Sequence, residues 1–380
     1  MSANMKSFAS DNYAGAHPAI LEAIAAANAY HVPSYGEDHY TEAAYKALKK
    51  QFGESTHTRL LYNGTSANIL CLSALMKPWD GVIAAKTAHV NTDECGAPER
   101  VAGIKVIPVD SDNGKLTVEA IVPIVEHLQG FEHARQPKLI SISNVSELGT
   151  LYTPEETRNL AEYAHANDMY LHVDGARLAN AAAAQGVSLA ALTSEAGVDA
   201  LSLGGTKNGM LYGDAALWFD KAAEEVEAGS FMLCKASAML GSKLRFLAAQ
   251  FQAMYQDDLW LRCAKQANDM ALRLAKGLID SSPADDRLPD SSLPSSCEIA
   301  FIDVGDDISA QGLEGKLANE VFAYLPKAIV APLQKQFHFY TWEEGKGSSA
   351  TDCVRWVTSW DTTEEEVDDL LRCLRMQLGQ

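Results

Sequence analysis

Nowhere in this 380-residue chain do eighteen apolar residues run together, and its opening residues, MSANMKSFASDNYAG, hold no apolar stretch of leader length. A membrane span and export are therefore not expected, and the chain reads as cytoplasmic. Cysteine is sparse: the seven (Cys71, Cys95, Cys234, Cys263, Cys297, Cys353, Cys373) are odd in number, scattered and without Cys-x-x-Cys spacing. Neither a disulfide framework nor a zinc site has a basis in that pattern, and no metal is expected. Positive charge is also short, with 31 Lys and Arg against 50 Asp and Glu and a net charge of -19. No basic run interrupts that acidity, which argues against nucleic acid or an anionic membrane as the main partner. A phosphate site must then be built locally, from backbone N–H groups and a few chosen cations. The Gly-Lys-Ser/Thr ending of a nucleotide P-loop is missing too.

What is present is ordinary for a folded protein, with 47% hydrophobic and 21% charged residues. The length suits two domains rather than one core. From about residue 58 to 220, short apolar runs alternate with longer amphipathic stretches, the pattern of a mostly parallel sheet covered by helices. Expected strands are Thr58–Tyr62, Gly81–Ala85, Lys105–Val109, Lys138–Ser143, Tyr170–Val173, Ala200–Leu203 and Ala215–Phe219. Between them, Thr153-Pro154-Glu155-Glu156 opens a helix over 155–167 with a Thr cap, Pro in the first turn and acids at the positive end. One long helical region is expected over Ser242–Leu278. A polar loop with three prolines follows from Asp280. Beyond it the spacing predicts a strand over Glu298–Val304, a helix over Ala310–Tyr324, a strand over Val354–Ser359 and a terminal helix from Thr362. The class expected is α/β, with residues 1–258 as the large domain and 259–380 as a smaller α+β domain.

Four residue groups sit at strand ends, where ligands of open α/β sheets bind. Asn63-Gly64-Thr65-Ser66-Ala67-Asn68 joins a strand to a helix, so Gly64 admits a close backbone approach and Thr65 and Ser66 add hydroxyls to the free N–H groups. An ordinary Ser/Thr-capped turn is the alternative. In Tyr170-Leu171-His172-Val173-Asp174-Gly175-Ala176-Arg177, Asp174 ends a buried strand and needs a positive partner or a helix to cap. A protonated pyridine nitrogen is one such partner. In Leu201-Ser202-Leu203-Gly204-Gly205-Thr206-Lys207-Asn208-Gly209, Lys207 follows another buried strand; desolvated and near other cations it would be an amine ready to form an imine, and otherwise merely a solvated loop lysine. His89, after the strand Gly81–Ala85, could lie flat on an aromatic cofactor or be a hydrogen-bonded structural histidine.

These segments, in this order and at these intervals, resemble the threonine aldolase family, which belongs to the aspartate-aminotransferase-like fold of pyridoxal phosphate (PLP) enzymes. The stretch Asp93-Glu94-Cys95-Gly96-Ala97-Pro98-Glu99 is most similar to the low-specificity L-threonine aldolase and phenylserine aldolase branch. The resemblance runs from Ser10-Asp11-Asn12 to Val354-Arg355 and is weakest between Asp280 and Asp352.

It implies that Lys207 carries PLP as an imine, Asp174 pairs with the pyridine nitrogen and His89 stacks on the ring. Gly64 and Thr65 would hold the phosphate, with Ser66 and Thr206 among the cofactor contacts and Lys243 reaching in from a neighbouring subunit. Ser10, Arg177 and Arg355 would hold the substrate α-carboxylate, a task that suits the planar guanidinium, and Tyr35 would lie near the active site. A homodimer or homotetramer with sites at the subunit interface is implied as well. The activity implied is cleavage of a β-hydroxy-α-amino acid, L-threonine, L-allo-threonine or phenylserine, to glycine and an aldehyde. Transamination, β-elimination or racemisation on the same scaffold, or a non-catalytic relative, are the other readings. Well-known relatives carry a second active-site histidine after the fourth strand, whereas this chain has Asn144-Val145-Ser146-Glu147-Leu148-Gly149. The base for the substrate hydroxyl is therefore left among His89, Glu147 and a bound water. Thr206-Lys207 also stands where many relatives have Ser-Lys, which keeps a hydroxyl.

Overall fold

The structure, a computed structural model, describes residues 6–280, 298–299, 312–343 and 350–379. Its centre is a seven-stranded sheet. In spatial order the strands are His57–Leu61, Asp214–Trp218, Ala200–Gly204, Tyr170–Gly175, Gln136–Ser143, Asp80–Ala85 and Lys105–Val109. The last five pair in parallel. Asp214–Trp218 runs antiparallel to both of its neighbours, so His57–Leu61 points the same way as those five. Six strands thus deliver their carboxyl ends to one edge, where the loops that follow are gathered.

Central strands such as Asp80–Ala85, Ala200–Gly204 and Asp214–Trp218 are buried along their whole length. Continuous apolar runs, rather than alternation, are what a sheet covered on both faces requires. The helix Gly64–Leu75 packs on Ala200–Gly204 and Asp214–Trp218 and buries most of its surface, including Asn68. Pro154–Ala166 starts with a capping box between Thr153 and Glu156, and Glu364–Gln377 with one between Thr363 and Glu366.

A second apolar core is built from Phe8, Leu274, Val321, Leu325, Val354, Trp356 and Leu370. Over it lies a four-stranded antiparallel sheet in the order Tyr340–Glu343, Thr351–Val357, Glu320–Pro326 and Glu298–Ile299. The helix Leu259–Asp280 joins the two cores, with Trp260 and Cys263 in the first and Leu274 and Leu278 in the second.

All seven strands expected for the large sheet are present within two residues of their expected ends. Two other expectations need correction. The long helix over Ser242–Leu278 is two helices, Arg245–Gln256 and Leu259–Asp280, broken where Asp258 takes a left-handed φ of 53°. The helix over Ala310–Tyr324 does not form in its described part. Residues 312–316 are turns, and Glu320–Pro326 is a strand between two others. Pairing with the strand Thr351–Val357 outweighs local helix propensity there. The proline-rich loop after Asp280 and most of the strand over Glu298–Val304 lie outside the described residues; Glu298–Ile299 is a strand.

Candidate active site

A cavity of about 250 Å³ opens at the carboxyl edge of the large sheet. The helix start brings Asn63, Gly64, Thr65 and Asn68 to its wall, and the neighbouring strand ends bring His89, Ser143, Glu147, Asp174, Arg177, Thr206 and Lys207. All four sequence motifs therefore meet in one place. A roomier groove along the outer strand, near Trp79, Lys105 and Arg135, holds none of them.

At one corner, Asn63 caps the helix Gly64–Leu75, its Oδ1 accepting the Ser66 N–H at 2.9 Å. Ser66 spends its amide on that cap and does not line the cavity. The N–H groups of Gly64 and Thr65 have no intrahelical acceptor and stand at the positive end of the helix. A Cβ on Gly64 would meet no atom of the chain within 4 Å, so packing does not require glycine there. Its absence keeps the space over the helix N-terminus open.

Asp174 is held from two sides. Asn68 Nδ2 donates to its Oδ2 at 2.8 Å, and the Ala176 N–H to its Oδ1 at 3.1 Å. The same Asn68 amide donates to Glu94 Oε1 at 2.7 Å, and that oxygen lies 2.9 Å from His89 Nδ1. This hydrogen bond pushes the His89 pKa up, with the charge of Asp174 adding to it and burial opposing it. Asn68 and Glu94 carry this geometry, yet neither was singled out by the motifs. Asn68 sits one helical turn past Gly64, on the turn's cavity face, which is the signal that could have found it. Behind Asp174, His172 is locked between Ser141 Oγ and Ser202 Oγ, both at 2.9 Å, and burial drives its pKa down to about 4. That ring is neutral at ordinary pH.

Lys207 is half-buried in the cavity wall, and its pKa is lowered first by the Arg177 guanidinium and then by desolvation; Asp11, Asp174 and Glu320 pull the other way. The net direction favours a free amine. The glycines beside it serve packing more than clearance. A Cβ on Gly204 would lie 2.5 Å from the Ala176 carbonyl, and one on Gly205 would lie 2.3 Å from Met210 Sδ. The Lys207 loop can thus press against the loop that follows Asp174. Thr206 Oγ1 accepts the Gly213 N–H at 2.9 Å and lies 3.4 Å from Asp214 Oδ2, whose pKa burial raises to about 6.

Arg177 points its fork at a buried acid, Asp11, through Nε at 2.7 Å and Nη2 at 3.1 Å. Its Nη1 lies 3.4 Å from Glu320, which in turn lies 3.7 Å from Arg355 Nη1. Glu320 thereby links the two arginines. Arg355 also donates to the Ala9 carbonyl at 3.3 Å and stacks 4.7 Å over Trp342, while its buried Nε has no hydrogen-bond partner among the described residues. Ser10 caps the short turn Asp11–Tyr13 with its hydroxyl. Neither Ser10 nor Arg355 lines the cavity. Tyr35 and Lys243 lie apart from it. The Tyr35 N–H donates to the Ser242 carbonyl, and Lys243 lines a surface groove with Tyr30 and Pro33. In the aromatic stretch from Phe337 to Trp342, Phe337 and Phe339 are packed in the second core.

Glu147 completes the wall. Its Oε1 accepts the His89 N–H at 2.8 Å and the Ser143 hydroxyl at 2.6 Å. Burial raises its pKa to about 7 against those two donors, and Asp174 adds to the rise.

Residues 7–293 match the beta-eliminating lyase family. The chain is 37% identical to a low specificity L-threonine aldolase of Pseudomonas aeruginosa, over the full length of both. A threonine aldolase of Leishmania major superposes with a TM-score of 0.85 at 28% identity, over 98% of this chain and 99% of that one. An alanine–glyoxylate aminotransferase of a Nostoc species shares the fold, with a TM-score of 0.64 at 14% identity over 100% and 96%. The fold is that of the aminotransferase-like PLP enzymes, as expected, and relatives of this kind use PLP. With three quarters of its length matched and its cavity at the sheet's carboxyl edge, the chain belongs to the beta-eliminating lyase family.

Proposed function

We propose that this chain binds PLP at Lys207 and cleaves a β-hydroxy-α-amino acid, L-threonine or L-phenylserine, to glycine and an aldehyde. The observation that carries the proposal is the meeting, in one cavity of about 250 Å³, of a half-buried lysine with lowered pKa, a buried carboxylate and an open helix N-terminus. These match the three polar parts of PLP. An aldehyde needs an amine, a pyridinium needs a carboxylate, and a phosphate needs N–H groups with space above them.

When bound, PLP supplies a protonated ring that takes up the electron pair released at Cα. Asp174, held by Asn68 and the Ala176 N–H, presents a carboxylate to the ring nitrogen. Gly64 and Thr65 offer their N–H groups to the phosphate, with the Ser66 and Thr206 segments holding their flanks. His89, fixed by Glu94, would stack on the ring. Arg177, already paired with Asp11, is the largest cause of the lowered Lys207 pKa. Arg355, whose Nε has no hydrogen-bond partner among the described residues and which Glu320 links to Arg177, and Ser10 would receive the substrate carboxylate together with Arg177 and so orient the bond to be broken.

The same reading places the cofactor in a large domain of residues 1–258, with residues 259–380 as the smaller domain. It also gives Lys243 and Tyr35 a role: the groove that Lys243 lines, and Tyr35 bonded to the Ser242 carbonyl beside it, lie apart from the cavity of their own chain, as residues would that serve a neighbouring subunit in a homodimer or homotetramer. No helix of the described residues is long and apolar enough to cross a membrane, which agrees with a cytoplasmic enzyme.

Purified protein supplied with PLP is incubated with L-threonine and, separately, L-phenylserine, and products are measured. Glycine and aldehyde in equal amounts are expected. An oxo acid in their place would overturn the proposal.

A further inference from the structure

We propose that Glu147 is the group that takes the proton from the substrate's β-hydroxyl, a role that rests on the aldolase reading above. Glu147 follows the strand Gln136–Ser143, and its side chain lines the cavity. One carboxylate oxygen, Oε1, is held by the His89 N–H and the Ser143 hydroxyl. The other, Oε2, is buried and has no hydrogen-bond partner among the described residues. A buried acceptor left unpaired is costly, so this oxygen suits a ligand that brings a donor. Of a β-hydroxy-α-amino acid's polar groups, the amine goes to the Lys207 corner and the carboxylate to the arginines. The hydroxyl remains, and Oε2 is the acceptor left for it.

The neighbouring groups are less suited. His89 Nδ1 is engaged by Glu94, and that bond favours the charged ring, which donates rather than accepts. Both Asp174 oxygens already accept hydrogen bonds, from Asn68 and Ala176. The charged and titratable groups facing Glu147 are His89 across the Oε1 contact, Asp174 and Arg177 from the adjacent strand end, and the buried Tyr152 hydroxyl. Their balance with burial leaves Glu147 close to neutrality, where a carboxyl can both accept and release a proton at working pH.

In the step, the β-hydroxyl proton passes to Oε2, the carbon–oxygen bond becomes a carbonyl and the Cα–Cβ bond breaks. Its electron pair stays on the glycine side. Cα then gains one proton and Glu147 releases one, so glycine and aldehyde form with no net change in protons and no oxidant.

The test compares the PLP-loaded wild type with E147Q, which keeps the shape and an acceptor for His89 and Ser143. Two reactions are read: cleavage of L-threonine, and exchange of the glycine α-proton with deuterated water, which needs no hydroxyl deprotonation. E147Q is expected to lower kcat for cleavage by roughly 100-fold or more. Its glycine affinity and α-proton exchange should stay within about threefold of wild type. The fall of kcat below neutral pH should vanish in E147Q and persist in E147D. Cleavage retained within tenfold overturns the proposal. So does loss of exchange in the same proportion as cleavage, because Glu147 would then only hold the site together. A wild type that exchanges glycine but yields no aldehyde overturns the aldolase reading itself.

Discussion

Arg177 grips Asp11 with both arms of its guanidinium, Nε to Oδ2 at 2.7 Å and Nη2 to Oδ1 at 3.1 Å, with both side chains nearly out of reach of water. Asn319 adds a third contact to Oδ2 at 3.1 Å. The pair ties the N-terminal segment to the loop after the Asp174 strand, beside Lys207.

Breaking it leaves a buried guanidinium without its main counter-charge, so D11N should cost about 3–5 kcal/mol of stability in denaturant unfolding. Burial alone would raise the Asp11 pKa, yet Arg177 and Lys207 outweigh it and the net shift is downward. A carboxylate with a lowered folded-state pKa adds stability above its unfolded value that is lost as pH falls through the folded one. The wild type should therefore lose this contribution in the acid range below about pH 4, and D11N should show a flatter stability profile there. Parallel profiles would contradict the account.

Gly64→Ala should separate cofactor binding from folding. Its Cβ meets no atom of the chain, so the cofactor-free protein should melt no lower than wild type. PLP affinity, followed by spectral titration, should fall at least about tenfold because the methyl fills the phosphate's space. An unchanged affinity would mean that the phosphate sits elsewhere.

Gly204→Ala should do the reverse. Its Cβ would come within 2.5 Å of the Ala176 carbonyl, which is backbone and cannot rotate away. A loss of about 1–3 kcal/mol in stability is expected from the forced separation of the two loops. Wild-type stability in thermal or denaturant unfolding would refute this contact.

Glu94→Gln should lower the His89 pKa, since the hydrogen bond that Glu94 accepts from the ring is the largest cause of its rise. Ring proton shifts in NMR titrations report it directly. A raised histidine pKa stabilises the fold below the unfolded value and ceases to do so as pH climbs past the folded one, so E94Q should remove that dependence near neutrality. A His89 titration unmoved by E94Q would contradict the assignment.

The seven sheet strands were legible because each is a short apolar run with no competing pattern. The segments that meet in the cavity could be picked out because Asp174 and Lys207 are charges placed at the ends of buried strands. The strand Glu320–Pro326 was not, since Glu320-Val321-Phe322-Ala323-Tyr324 reads locally as part of a helix and becomes a strand only by pairing with Thr351–Val357. Nor could the sequence show that Arg177 faces Asp11, 166 positions away, or that Asn68 joins Glu94 to Asp174. Those contacts depend on loops brought together by the sheet. Spacing carries no record of them.

The central claim is that Lys207 holds the cofactor. Protein loaded with PLP is reduced with borohydride, digested and read by mass spectrometry. The account predicts a reduced PLP adduct on the peptide bearing Lys207, lost in Lys207→Ala. An adduct on another lysine such as Lys243, or none on a protein that still cleaves threonine, would contradict it.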